Sequence, residues 1–283
     1  CVLPYKIFPK KKLLLGIVFL FNCEIKIMVA FEQLNMSDEA SFKVEEEAPF
    51  KVMNTGIDAL DRSLNGGLPE RSVVYISADA FSMAEVFLYQ FTQARKTYYI
   101  TTDRRKEYVN QNIKNLNFNA DAIIFIDVYQ EYYFTPNGDM TDTIGNEYVD
   151  TNIIQYLEYN LNNIVAENSD DEFNLIIDNF SFFLNLHVNR GLIKKLINVL
   201  YECTKESNCI TYLLGLKGSH SDNIENEILH ASDVIFDISL EKNIDKISSK
   251  LIIPKVRGMV PNTEIIKFTI SDGVEIDTSR DIA

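Results

Sequence analysis

Short apolar runs alternate with longer stretches of helical spacing along most of this chain, and that alternation excludes all-α and all-β folds. The strand-like runs are VVYIS (73–77), TYYITT (97–102), AIIFIDV (122–128), FNLIIDN (173–179), CITYLLGL (209–216) and DVIFDIS (233–239). They are rich in β-branched and aromatic residues. They are continuously apolar rather than alternating, which is the pattern of strands buried on both faces. Between them lie predicted helices over 82–95, 106–116, 149–166, 190–206 and 225–231. In the first, Met83, Val86, Phe87, Phe91 and Ala94 share one face; in the third, Val149, Ile153, Tyr156, Leu157, Leu161 and Ile164 do. Strand–helix repetition of this kind predicts an α/β fold with a mainly parallel central sheet flanked by helices. The last two runs, KLIIPKV (250–256) and EIIKFTI (264–270), have no helix between them. They predict antiparallel C-terminal edge strands, with Pro254 confining the first to an edge or a bulge.

Residues 1–27 stand apart. Lys6, Lys10, Lys11, Lys12 and Lys26 against Glu24 give this segment a net +4, which leaves −18 on the remainder of a chain whose total is −14. Its apolar run, Leu13 to Cys23, is about half a membrane span. It reads as an N-terminal extension upstream of a start at Met28 or Met36, with a membrane anchor as the alternative. Residues 28–50 read as an acidic arm and 51–283 as the folded domain. The four cysteines form no CxxC pair, so neither a disulfide framework nor a zinc knuckle is expected, and a cytoplasmic location is. An acidic body repels phosphate backbones, so no nucleic-acid partner is expected.

Ligands of doubly wound sheets bind at the carboxyl ends of strands, where strand order reverses. The turns after Ser77, Thr102 and Asp178 are the candidates. The segment Thr55-Gly-Ile-Asp-Ala-Leu-Asp61, with Gly66-Gly67-Leu-Pro69, leads into Ser72-Val-Val-Tyr-Ile76. It resembles the opening of the RecA/KaiC family of ATPases, and the archaeal KaiC-like subgroup in particular. Leu175-Ile-Ile-Asp178 is similar to that family's Walker B strand. Lys255-Val-Arg-Gly258, followed by Phe268 to Gly273, resembles the KaiC-type ending, whose lysine and arginine reach a neighbouring subunit's nucleotide. The resemblance spans about residues 51–280. It implies a RecA-like fold, ATP and magnesium as cofactors, and oligomers.

The resemblance fails where the phosphate loop is due. There the sequence reads Ala78-Asp-Ala-Phe-Ser-Met-Ala84-Glu85. The glycines that let backbone amides curl round a phosphate are missing. Ala84 stands at the lysine position and Glu85 at the hydroxyl position. Ser82 and Glu85 have capping-box spacing, which predicts a helix N-terminus satisfied by the protein itself. Asp103 stands where the family keeps a water-activating glutamate, and Arg104 follows it. A cation beside an acid lowers its pKa and makes it a poor base, so a turn residue or surface ion pair is the preferred reading. Glu85 and Asp178 could approach across the loop, which would demand a metal, a shared proton or a lysine. The resulting expectation is a KaiC/RecA-like domain without ATP hydrolysis or cofactor, acting as a regulatory or assembly subunit. Its partner would be itself or an active relative, with Lys255 and Arg257 between subunits. The rivals are a divergent ATPase using Asp103 and Asp178, and a recombinase-like DNA-binding module. Ala78, Ser82, Ala84, Glu85 and Asp178 are the candidate nucleotide contacts.

Overall fold

The computed structural model describes residues 51–168, 171–242, 247–260 and 264–277. The extension expected over 1–27 and the arm expected over 28–50 lie outside them. The chain opens with β1 (Val52–Met53), α1 (Asp58–Ser63) and β2 (Leu68–Pro69), then β3 (Val73–Ala78) and α2 (Glu85–Phe91). Next come β4 (Thr97–Thr101), α3 (Lys106–Asn115), β5 (Ile123–Asp127), α4 (Val128–Tyr133) and α5 (Glu147–Glu167). β6 (Phe173–Asp178), α6 (Ser181–Leu184), α7 (Arg190–Glu206), β7 (Cys209–Leu216) and α8 (Asp222–Ala231) follow. The strands β8 (Val234–Lys242), β9 (Ile247–Val256), β10 (Ile266–Ile270) and β11 (Val274–Ile276) close the fold.

Among the described residues, nine strands form one sheet in the order β11-β10-β9-β8-β3-β7-β6-β4-β5. The six from β8 to β5 are mutually parallel. The three closing strands are antiparallel, as the sequence predicts. Alternation along β3 sends Val74, Ile76 and Ala78 into a core under α1–α3, and Val73 and Tyr75 into a second core under α4–α8. Every residue of β3, β4 and β6 is buried.

Some expectations need correcting. The continuous apolar run predicts that β5 is buried on both faces. It is instead the sheet's edge, and Ile124 is 43% exposed. A run such as IIFID cannot distinguish a central strand from an edge strand. The helix expected over 82–95 is confined to Glu85–Phe91. Tyr129, Tyr132 and Tyr133 lie in α4, a helix the apolar pattern does not predict, and Tyr132 is buried with its ring edge-on to Phe182 at 5.0 Å. Pro254 marks a bulge, as one of the two sequence alternatives had it. Ile235 pairs with Lys255 and Asp237 with Ile252, so Ile253 and Pro254 together face Phe236. β9 is not an edge, but β10 pairs only with its residues 249–251.

The leading segment acts as a fastener. The Thr55 amide donates to Asp61 Oδ1 at 2.8 Å, and the Ile57 amide to Thr55 Oγ1 at 3.1 Å. Gly67 adopts φ +140°, and a Cβ there would lie 2.2 Å from the Met53 carbonyl oxygen. At the amino end of the parallel strands, buried Asp233 gathers three partners. These are the Val73 amide (3.0 Å), Lys205 Nζ (2.7 Å) and Arg257 Nε (3.0 Å).

Gly215 of β7 lies under the Tyr75 ring, and a Cβ there would meet the Tyr75 hydroxyl at 2.0 Å. Tyr75 is fully buried and its hydroxyl is 3.4 Å from His220 Nε2, so the ring has little room to retreat. Gly215→Ala should therefore lower unfolding stability by about 1–3 kcal/mol, the usual cost of overpacking a core. Urea unfolding measures this, and an unchanged midpoint would show that the ring is free to move.

Candidate functional site

The chain leaves β4 towards β5 on one side, and leaves the adjacent β6 towards β7 on the other. This divergence places a crevice at the carboxyl ends of β4 and β6. Thr101 and Asp178 are register partners there. The side chain of Asp178 is 5% exposed and turns to the α2–α3 face. Its Oδ2 accepts the Tyr99 hydroxyl at 2.7 Å and Arg104 Nη2 at 3.2 Å. Burial pushes the Asp178 carboxyl up to about 6. Arg104 and Tyr99 pull it down, while Asp103 and Glu85 push it further up. Burial and the Asp178 charge raise the Tyr99 phenol well above its usual value, so it acts as a donor.

The backbone beneath this group is tied across the strands. The Asn179 amide donates to Thr102 Oγ1 at 2.7 Å, and that hydroxyl donates to the Asn179 carbonyl at 2.9 Å. The Thr102 amide donates to the Asp178 carbonyl at 2.9 Å. Asn179 Nδ2 donates to Asp103 Oδ2 at 2.9 Å. Asp103 thus serves the turn, and Arg104 pairs with Asp178 rather than with Asp103.

The β3–α2 loop, residues 79–84, is fastened by Asp79. Its Oδ2 accepts the Leu240 amide at 3.1 Å and its Oδ1 lies 3.5 Å from Lys217 Nζ. Lys217 also donates to Asp237 Oδ1 at 2.5 Å and to the Ile238 carbonyl at 3.0 Å. The expected capping box does not form. Ser82 Oγ donates back to the Asp79 carbonyl at 2.6 Å, and the N-cap position falls on Ala84, which offers no side-chain bond. Met83 adopts φ +51° despite its Cβ, so the loop takes a left-handed step without glycine. Phe81 and Met83 are 81% and 52% exposed.

The structure gathers Glu85, Asp103 and Arg104 around Asp178, with Ala78 ending β3 and Ser82 and Ala84 on the adjoining loop. Lys255 and Arg257 lie elsewhere, beside the first residues of β8 at the opposite end of the parallel strands. Lys255 Nζ donates to the carbonyls of Leu229 (2.8 Å) and His230 (3.1 Å). Arg257 donates to the His230 carbonyl at 3.0 Å as well as pairing with Asp233. Both cations satisfy carbonyls at the end of α8, where the helix dipole favours them. Sequence reasoning missed Tyr99, Lys217 and the Arg104–Asp178 pair. The available signal was position alone, since Arg104 and Lys217 both follow a parallel strand at its carboxyl end. Among the described residues, no group of three or more His, Cys, Asp or Glu side chains is arranged to hold a metal ion. No helix among them is long and apolar enough to cross a membrane.

A family model described as a family of unknown function (DUF7125) matches residues 52–283. No curated protein matches the sequence. Among solved structures, the fold is similar to a KaiC-like protein from the hyperthermophilic archaeon Pyrococcus horikoshii. The TM-score is 0.62 at 16% identity, covering 81% of this chain and 100% of that one. It is also similar to the flagellar accessory protein FlaH of Methanocaldococcus jannaschii, with TM-score 0.58 at 13% identity and the same coverage. The fold is RecA/KaiC-like, as the sequence motifs imply.

Asp178 has a folded-state pKa of about 6 against an ordinary 3.8, so folding takes up a proton between those values. Its contribution to stability is greatest at or below the lower value and is lost as pH rises through the upper one. Compared with Asp178→Asn, the wild type should therefore gain stability as pH falls from about 7 to about 4. Chemical unfolding at several pH values checks this, and a flat difference would mean that the carboxyl is solvated.

Proposed function

The chain belongs to this family of unknown function, DUF7125, and we propose that it is a KaiC/RecA-like domain that does not hydrolyse ATP. It serves as a regulatory or assembly subunit, pairing with itself or with an active relative. The observation that carries the reading is the β3–α2 loop. A phosphate there would meet Asp79 and Glu85, no lysine of the loop, and amides in a turn closed by Ser82 on Asp79. Glycine-rich phosphate loops work through free amides and a lysine. Magnesium does not fit either. Asp178, the one acid aligned with a Walker B position, already holds Tyr99 and Arg104. ATP and magnesium are therefore not assigned to this crevice.

A divergent ATP-binding enzyme is the alternative, and one observation favours it. Lys217 brings a cation within 3.5 Å of the loop's Asp79. Against it, Lys217 is held by Asp237 and the Ile238 carbonyl, and a phosphate would have to displace both. For Lys255 and Arg257, a role towards a neighbouring subunit is part of the proposal. It requires them to leave the end of α8 or to act from it.

Millimolar Mg-ATP should leave the melting temperature of the chain unchanged, whereas a ligand at about 100 times its Kd would add about 2.7 kcal/mol. The mass in solution, by light scattering, should likewise be the same with and without nucleotide. Phosphate release from ATP above background, abolished by Asp178→Ala, would establish the alternative.

A further inference from the structure

We propose that the guanidinium of Arg104 is the resident cation of the β4–β6 crevice, fixed there by the chain in place of a divalent ion. This rests on the reading that the site does not take Mg-ATP, and it names what occupies the site instead. Three carboxylates share the place. Asp178 is buried, Glu85 opens α2, and Asp103 sits beside Arg104 in the turn after β4. Both Glu85 and Asp103 add their negative field to that of Asp178. The Arg104 guanidinium lies within this field and directly contacts Asp178.

The pair differs from an ordinary surface salt bridge. Exposed pairs contribute little because water screens both partners. Here the acid is 5% exposed and the arginine 35%, so the acid depends on its partner. Removing one member of a buried pair leaves an uncompensated charge. The second sign that the chain fills this place itself is Tyr89. Its side chain is buried on α2 in the field of Asp178, Arg104 and Glu85, and its hydroxyl has Asn112 beside it but makes no hydrogen bond of good geometry. Such a hydroxyl costs free energy unless something polar stands before it. Asn112 and the charge of Arg104 are the groups that act on it favourably. Arginine also suits a permanent role, because it carries five fixed donors and keeps its charge at every accessible pH.

The test compares thermal unfolding of the full chain as wild type, Arg104→Gln, Arg104→Lys, Asp178→Asn and the double variant R104Q/D178N. Each is measured at about pH 5.5 and about pH 8, with and without about 10 mM MgCl2 at matched ionic strength. Arg104→Gln should lower the melting temperature by about 5 °C or more at the higher pH, and by less at the lower pH, where Asp178 can take a proton. Arg104→Lys should retain most of the wild-type value. Adding Asp178→Asn to Arg104→Gln should recover most of the loss, since it removes the stranded charge. Wild type should not respond to magnesium. Three results would overturn the proposal: a loss in Arg104→Gln that is equal at both pH values, a double variant no better than the single one, or stabilisation of the wild type by MgCl2. Should Arg104→Gln not fold, Arg104→Lys and the pH response of the double variant still decide. ATP hydrolysis by a wild type that passes these tests would sink the non-hydrolysing reading and leave Arg104 in its role.

Discussion

A carboxylate is carried into the protein interior at the end of β6, and the crevice is organised around its charge. An ionised acid in such a place is tolerated only with donors and a cation close by. Tyr99 supplies the donor from the neighbouring strand and Arg104 the cation from the turn that follows. That requirement sets the path of the turn. Thr102 is bonded to Asn179, Asn179 to Asp103, and the backbone of β4 to that of β6. The α2 helix starts beside the same group with another acid, Glu85, which adds to the demand for positive charge.

Residues that resemble family motifs prove, within one chain, to be fasteners. Thr55, Asp61 and Gly67 close the leading turn. Lys255 and Arg257 cover the carbonyl end of α8, and Arg257 shares buried Asp233 with Lys205 and the first amide of β3. One residue type can thus serve fold and function alike, which is why a motif alone does not establish chemistry.

The fold was legible in the sequence because period and apolar runs report burial directly. Cys209–Leu216 and Arg190–Glu206 begin and end where the residues suggest. The rank of a strand within the sheet was not legible, because β5 is as apolar as β6 yet lies at the edge. The candidate site was legible only in its strand ends. Asp178, Asp103 and Glu85 could be named, but the partner of Asp178 depends on the β4–β6 register, which no local pattern encodes. Ser82 shows the same limit from the other side. Its spacing from Glu85 suits a cap, but the left-handed step at Met83 turns it back onto Asp79.

The far edge of the sheet adds one further connection. The Val274 amide of β11 donates to Gln90 Oε1 of α2 at 2.8 Å, and Phe87 of that helix meets Phe268 of β10 edge-on at 4.9 Å. The helix that follows the loop is therefore moored to the last strands of the chain. Gln90 and Val274, 184 residues apart in sequence, thus tie the first helix after the loop to the closing strands of the sheet.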